Sequence, residues 1–194
     1  MIRRIAIIQG HPDPAGDHLC HRLADAYAAG ALASGREARR IEVARLDLPM
    51  LRTQADFEKG NPSPAVVAVQ DDLRWASHWV IIYPLWLGDM PAVLKGFFEQ
   101  VVRPGFAFRY RDKGFPEKLM AGRSAHVVVT MGMPGVAYRW FYGAHSLKSL
   151  KRNILKFIGI NPIGDTLIGG VGGLSADDVD QLIARFEALG REGG

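Results

Sequence analysis

The chain lacks several features that mark whole classes of protein. Only one of its 194 residues is a cysteine, Cys20, so no internal disulfide is possible and a reducing compartment, the cytoplasm, is expected. The sequence contains no uninterrupted run of about 18 apolar residues, so we expect no membrane-spanning helix and no membrane insertion. The first five residues pass straight into a strand-like run with no signal-peptide pattern.

The chain also has little excess of charge of one sign. The formal net charge is +4, and the densest basic runs, 36–45 and 148–152, lack the interleaved aromatic residues of a nucleic-acid groove. We therefore expect no nucleic-acid partner, whereas a modest positive field favours an anionic small molecule such as a phosphorylated cofactor. Neither the P-loop pattern nor the Gly-x-Gly-x-x-Gly dinucleotide pattern occurs.

Strand-like and helix-like segments alternate along the chain, which predicts one α/β domain over residues 1–194 with a parallel sheet and right-handed crossovers. Apolar β-rich runs predict core strands at 5–9, 40–44, 79–83, 125–130 and 162–170. Helical spacing of apolar residues predicts helices at 17–34, 66–76, 91–101, 146–158 and 176–189. Residues 46–64 are expected to be irregular, and residues 106–110 to form a strand or hairpin outside the main sheet.

The rest of the chain is organised around residues 83–91, which join a buried strand to a helix with Pro91 as its expected first residue. This loop lies at the carboxyl end of a strand, where open α/β sheets bind ligands. It carries Trp86 and Leu87, although loops are normally polar. An apolar loop there favours a flat aromatic cofactor. The alternative is that both side chains fold back over the sheet edge.

Two further loops follow strands and are expected at the same edge. His11 and Gly16 lie after the first strand, where helix N–H groups suit a phosphate; a simple tight turn capped by His11 is the alternative. Thr130 and Gly132 follow the fourth strand. The three loops together predict one ligand site.

The pattern aromatic-Pro-Leu-Trp-x-Gly-x-x-Pro-Ala-x-Leu-Lys-Gly-x-x-Glu at residues 83–99 resembles the flavodoxin-fold NAD(P)H:quinone oxidoreductases of the DT-diaphorase type. The resemblance implies a five-stranded parallel sheet in the order 2-1-3-4-5 with helices on both faces. It also implies bound FAD or FMN, hydride from NADH or NADPH, a quinone or similar small-molecule acceptor, and a homodimer. An alternative implied by some relatives is a flavin-binding ancillary subunit that regulates a partner such as an ion-transport system.

The resemblance also assigns site residues. The implied cofactor-binding residues are His11, Gly16, Asp17, His18, Pro84, Leu85, Trp86, Leu87, Thr130 and Gly132. His145 fits the family histidine that stabilises charge on the reduced flavin and the acceptor. The accompanying tyrosine is Tyr138 or Tyr142, within an aromatic run that could form a substrate pocket or a partner surface.

The phosphate loop departs from the family, since Gly16, Asp17 and His18 replace a common Ser, apolar, Asn run. A carboxylate beside a phosphate is unfavourable unless Asp17 caps the helix or pairs with a base. His11, Asp17, His18 and His21 could also be read as a metal cluster, but no HExxH or cysteine-rich pattern supports a metal. Cys20 is expected to be a small packing residue.

Overall fold

Five parallel strands form the central sheet of the protein. A computed structural model describes residues 4–193. The core strands are β1 (Arg4–Gln9), β2 (Glu37–Glu42), β3 (His78–Pro84), β6 (Ser124–Thr130) and β7 (Ile163–Ile168). Their order is β2-β1-β3-β6-β7. The short strands β4 (Phe108–Arg109) and β5 (Glu117–Lys118) pair with each other outside this sheet, which confirms the predicted hairpin. When only the core strands are counted, β6 and β7 are the fourth and fifth, so the predicted order 2-1-3-4-5 is also confirmed.

Helices connect the strands. They are α1 (Leu19–Ala33), α2 (Gln54–Lys59), α3 (Pro64–Trp75), α4 (Ala92–Val101), α5 (His145–Ser149), α6 (Lys156–Ile158) and α7 (Ala176–Glu192). A wider helical turn, Leu150–Leu155, joins α5 to α6. Across residues 4–193, no helix combines the length and apolar composition needed to span a bilayer.

The helices cover both faces of the sheet. On β1, Ile5 and Ile7 face α1 and α7, whereas Ala6 and Ile8 face the cluster that includes side chains of α3 and α4. Burial on both sides explains why the strands read as continuous apolar runs. Helices α1 and α7 pack so closely that a Cβ on Gly30 would lie 1.9 Å from the backbone oxygen of Glu187.

Three predicted boundaries in the first half are wrong. Strand β2 lies at Glu37–Glu42 because those residues match the register of β1, and a single 3₁₀ turn then ends it. The expected irregular segment contains α2, whose first turn is capped by the side chain of Thr53. Helix α1 starts at Leu19 rather than at residue 17, since His18 has the extended backbone of an N-cap.

The remaining boundaries differ less. Pro91 is the N-cap of α4, with extended ψ of 145°, and so precedes the first helical residue. Helix α3 starts at Pro64, ahead of the predicted 66, because the Ser63 hydroxyl caps it. Helix α7 runs three residues past the predicted end, to Glu192, and begins with a capping box between Ser175 and Asp178.

Candidate functional site at the sheet edge

Three loops meet at the carboxyl edge of the sheet: loop A (residues 10–18), loop B (residues 85–91) and loop C (residues 131–136). Hydrogen bonds between neighbouring strands continue into them. The N–H of Gly10 donates to the carbonyl of Ile82 (2.7 Å), and the N–H of Leu85 donates to the carbonyl of Thr130 (2.8 Å). The structure therefore brings together the three loops that the sequence placed at this edge.

Loop A is built around His11, which is 8% exposed. Its Nδ1 accepts a hydrogen bond from the N–H of Asp13 (3.1 Å), so the neutral ring carries its proton on Nε2. The Asp13 carboxylate accepts from Nε2 of His18 (2.8 Å) and from the N–H of Ala15 (2.8 Å). These bonds favour the charged form and lower the pKa of the Asp13 carboxyl. Loop A is thus pre-ordered by its own side chains.

The predicted phosphate residues of loop A differ in their surroundings. Gly16 has a φ of +97° and is exposed, which fits a turn that lets backbone approach a ligand. Asp17 is exposed and does not cap α1, whose N-cap His18 makes no side-chain capping bond. Within residues 4–193, Asp17 has no hydrogen bond or ion pair, so neither role proposed for its carboxylate is confirmed.

Loop B folds as a tight two-residue turn. The N–H of Trp86 donates to the carbonyl of Asp89 (2.8 Å), and the N–H of Asp89 donates back to Trp86 (3.0 Å). Leu87 and Gly88 have φ values of 49° and 80°, the left-handed pair of a type I′ turn. Such a conformation costs a leucine about 1–2 kcal/mol, and strain of this kind collects at functional sites.

Loop B exposes its apolar side chains. Trp86 is 52% exposed and Leu87 is fully exposed, so the alternative in which both fold over the sheet edge is wrong. The Trp86 ring stands edge-on to His11 with 6.3 Å between centroids. Pro84 and Leu85, also predicted to contact the cofactor, are half-buried at the base of the loop. Loops A and B are therefore adjacent, and loop B exposes an apolar surface beside His11.

Loop C follows Thr130, the last residue of β6, whose side chain is buried. Its Oγ1 lies 3.2 Å from Sγ of Cys20 on α1, so the hydroxyl ties loop C to the helix that follows loop A. Burial raises the pKa of the Cys20 thiol to about 11 and keeps it protonated, as expected for a packing residue. Gly132 is exposed, and a Cβ there would meet open space.

Loop C is held from behind by the segment that follows β7. The N–H of Gly170 donates to the carbonyl of Met133 (3.1 Å), and the N–H of Met131 donates to Ile168 (2.8 Å). Between these bonds, a Cβ on Gly169 would lie 2.2 Å from the backbone nitrogen of Gly135. Only glycine allows this approach, so Gly169 fixes where loop C stands.

The two candidate tyrosines lie in different environments. Tyr138 is 1% exposed, and its hydroxyl contacts Oγ of Ser146 (2.6 Å) and accepts from the N–H of Leu147 (3.2 Å). These contacts hold the Tyr138 hydroxyl against the first residues of α5. Tyr142 is half exposed. The Tyr138 hydroxyl is therefore buried and bonded at the start of α5, whereas the Tyr142 side chain is exposed.

His145 and the aromatic run lie on the surface beyond loop C. His145 is the exposed first residue of α5, and a Cβ on Gly143 would lie 2.8 Å from its Nε2. The side chains of Trp140 and Phe141 are largely exposed, at 80% and 82%. In the part of the chain that the structure describes, no hydrogen bond or ring contact joins Tyr142 or His145 to Trp86.

Sequence reasoning missed the role of Asp13 and the closeness of His21. The Pro-Asp-Pro run at 12–14 signals a turn in which Asp bonds its own backbone, and this signal could have identified Asp13. His21 shares a helix face with His18, a spacing noted only as a possible metal cluster. Among the described residues, no group of three His, Cys, Asp or Glu side chains is arranged to hold a metal ion.

Comparison with known proteins gives the family. A family model described as Flavodoxin-like fold matches residues 3–189. The FMN-dependent NADH:quinone oxidoreductase of Bordetella avium (strain 197N) is 30% identical over 148 residues, which cover 72% of this chain and 70% of that protein. NAD(P)H dehydrogenase (quinone) 1 of Rattus norvegicus is 30% identical over 135 residues, or 66% of this chain; the chain spans 47% of the rat protein's length.

A solved structure agrees with the sequence relatives at the level of the fold. The NAD(P)H:quinone oxidoreductase from Methanothermobacter marburgensis superposes with a TM-score of 0.81, covering 99% of this chain and 97% of that chain at 21% identity. The family match over nearly the whole chain, the identity with the Bordetella protein and the observed strand order agree. The chain belongs to the flavodoxin-like family, as its resemblance to the quinone oxidoreductases of that fold predicted.

Proposed function

We propose that this chain is a flavin-dependent oxidoreductase that takes hydride from NADH or NADPH and passes it to a quinone or similar acceptor. The single observation that carries the proposal is loop B, a strained turn that exposes Trp86 and Leu87 beside His11 at the edge where α/β sheets bind ligands. The names of the Bordetella and rat relatives support the same reaction class.

The residues at the edge fit a phosphorylated flavin. Loop A offers the Nε2–H of His11 and the N-terminus of α1 to a phosphate, and Gly16 allows its backbone to approach. Trp86 and Leu87 offer an apolar wall, and the backbone at the tip of loop B, Leu87 and Gly88, lies outside the two hydrogen bonds of the turn and could bond a ring edge. We propose FMN as the flavin, because the Bordetella relative is named as FMN-dependent.

Loop C would close the site from the other side. Since the Thr130 hydroxyl already contacts Cys20, we expect its backbone rather than its side chain to face the flavin. Gly132 has open space around its Cα, which suits close approach of a ring. When bound, the flavin supplies the two-electron chemistry, and the protein supplies orientation, exclusion of water and charge stabilisation.

Tyr142 and His145 are our proposed groups for the acceptor. Both are exposed and can donate a hydrogen bond, which would stabilise negative charge developing on a quinone oxygen. Tyr138 is the less suitable tyrosine because its hydroxyl is buried against Ser146. We assign Tyr138 a positioning role at the start of α5.

We also propose a homodimer in the cytoplasm. Val136, Trp140 and Phe141 expose apolar surface beyond loop C, and clustered surface of this kind marks interaction sites. In a dimer, these side chains of one protomer would cover the open surface of loops A and B in its partner. The buried free thiol of Cys20 favours a reducing compartment. Light scattering that shows a fully active monomer would refute the dimer.

The same exposed aromatic run favours a second candidate, a flavin-binding ancillary subunit that regulates a partner such as an ion-transport protein. The two functions differ in turnover. If the bound flavin is reduced by NADH but a simple quinone causes negligible NADH consumption, the regulatory function is the better one.

The experiment that tests the proposed function is flavin titration followed by steady-state NADH oxidation with a simple quinone. Trp86→Ala removes an aromatic contact of about 0.5–1.5 kcal/mol and should weaken FMN affinity up to about tenfold. Phe115→Ala is the matched control, because Phe115 is equally aromatic and 91% exposed but lies between the strands of the β4–β5 hairpin. Equal effects of both substitutions would argue against loop B as the flavin wall.

A further inference from the structure

Three histidine rings lie against one another where loop A enters α1. The centroids of His11 and His18 are 3.9 Å apart with nearly parallel rings. The ring of His21 lies 5.4 Å from His11 and 5.7 Å from His18. His21 is only 4% exposed, and its Nδ1 has no hydrogen-bond partner among the described residues. A buried ring nitrogen without a partner calls for an explanation, and a bound anion or water is one.

The surroundings of His11 and His21 disfavour positive charge on their rings. Burial and the neighbouring His18 lower the pKa of His11. Burial and the nearby Arg40 lower the pKa of His21. Stacked imidazoles cannot all be protonated without strong repulsion. The rings of His11 and His21 therefore hold fewer protons near neutral pH than free histidines would.

The acidic groups nearby relieve this repulsion only in part. Asp13 and Glu42 favour the charged form of His21, and Asp13 favours that of His11, but burial and the neighbouring cations outweigh them. The charged groups around the rings are Asp13 and Asp17 of loop A, Asp25 of α1, and Arg40, Glu42 and Arg45 of β2 and the turn after it. Asp13 pairs with His18, Asp25 pairs with Arg40, and Glu42 pairs with both arginines. The carboxylate of Asp17 is exposed to water, where screening weakens its effect.

A dianion at the α1 N-terminus would change this balance. It would bring negative charge next to all three rings and would offer an acceptor oxygen to the Nδ1 of His21. We propose that His11, His18 and His21 form a cradle that takes up solvent protons as the phosphate of the flavin binds, so that the protein selects phosphorylated flavins and binds them more tightly as the pH falls. This inference rests on the proposed flavin binding.

The balance of the step is simple. Protons leave the buffer and attach to imidazole nitrogens as the phosphate oxygens accept their hydrogen bonds; no covalent bond of the flavin changes. Above about pH 7 the phosphate monoester is already a dianion, because its second pKa is about 6. Its own titration therefore does not contribute there. Each proton taken up changes the dissociation constant by about tenfold per pH unit.

The test is calorimetric titration of the flavin-free protein with FMN and with riboflavin between about pH 7 and 8.5, where the phosphate monoester is already a dianion. Two buffers with different heats of ionisation, both free of phosphate, give the protons taken up per flavin. We expect FMN binding to weaken by at least about tenfold per pH unit and to take up about one proton near neutrality. Riboflavin should bind weakly with no proton uptake.

Variants separate the cluster from general effects of histidine. His21→Gln and His18→Gln should each reduce proton uptake and flatten the pH dependence of FMN affinity. His126→Gln is the control, since His126 is a half-buried histidine that bonds Thr166 within the sheet, away from loop A; it should leave both unchanged. If His21→Gln does not fold, the exposed His18→Gln provides the same comparison.

The outcomes are distinct. Tight FMN binding with no proton uptake and no pH dependence would overturn the cradle and leave the proposed function intact. Loss of uptake in His126→Gln equal to that in His18→Gln would also overturn it. Failure of the wild-type protein to bind any flavin at any pH would overturn the proposed function, and the cradle with it.

Discussion

Gly169→Ala tests whether the position of loop C depends on the segment behind it. The new Cβ would lie 2.2 Å from the nitrogen of Gly135 and 2.7 Å from the carbonyl oxygen of Met133. Both are backbone atoms, so loop C must move by about 1 Å to reach normal contact distance. Overpacking of this kind destabilises by about 1–3 kcal/mol. A 1 Å misplacement of a site wall can reduce the rate by about 100-fold.

The assay is FMN titration by fluorescence, combined with urea unfolding of the flavin-free protein. Gly172→Ala is the matched control, because a Cβ there meets nothing within 4 Å and the residue lies just three positions further along the chain. The control should stay within about 0.5 kcal/mol of wild type. If Gly169→Ala matched wild type in both stability and FMN affinity, loop C would not be held in the way that its contacts indicate.

The remaining predictions concern the fold, loop B and pH. Gly30→Ala would place a Cβ 1.9 Å from a backbone oxygen of α7 and should cost at least about 2 kcal/mol in urea unfolding. Gly96→Ala, in α4 with open space around it, should instead stabilise by about 0.5–1 kcal/mol. Leu87→Asn should raise the free energy of unfolding by about 1 kcal/mol, because asparagine tolerates the left-handed backbone that leucine adopts under strain; an unchanged urea midpoint would contradict the strain. Because the pKa values of His11 and His21 are lowered in the folded chain, the unfolded chain binds more protons below about pH 6.5. Stability of the flavin-free protein should therefore be full above that pH and decline as the pH falls below it, as urea midpoints on either side would reveal.

Much of the fold was readable from the sequence because its signals are local and strong. The apolar strands, the connecting helices and the alternation between them predicted a parallel sheet, and the resemblance supplied its order. The predicted ends of elements were wrong where pairing with a neighbouring strand, rather than the local sequence, determines them. Residues 37–39 include no large apolar side chain and gave no strand signal, yet they pair with β1 because the register of Ile41 against Ile8 extends backwards along the same ladder. The Thr53 side chain caps the first turn of helix α2, and the composition of the segment does not indicate this contact.

The site was predicted as three loops but not as an arrangement of side chains. Trp86 and His11 are distant in sequence, and their shared surface follows from strand order. The burial of Tyr138 could not be read from spacing, because the wider helical turns around it decide which aromatic faces the core. The stacking of His18 on His11 depends on the Asp13 turn, a local geometry that an isolated His-Pro-Asp-Pro run only suggests.

The most direct test of the central claim is one titration followed by one reaction in the same cuvette. Flavin-free protein should bind FMN, NADH should then bleach the flavin absorbance, and a simple quinone should restore it. Binding should quench the fluorescence of Trp86, identified by its loss in the Trp86→Ala variant. Protein that binds no flavin, or whose bound flavin NADH leaves oxidised, would contradict the proposed function.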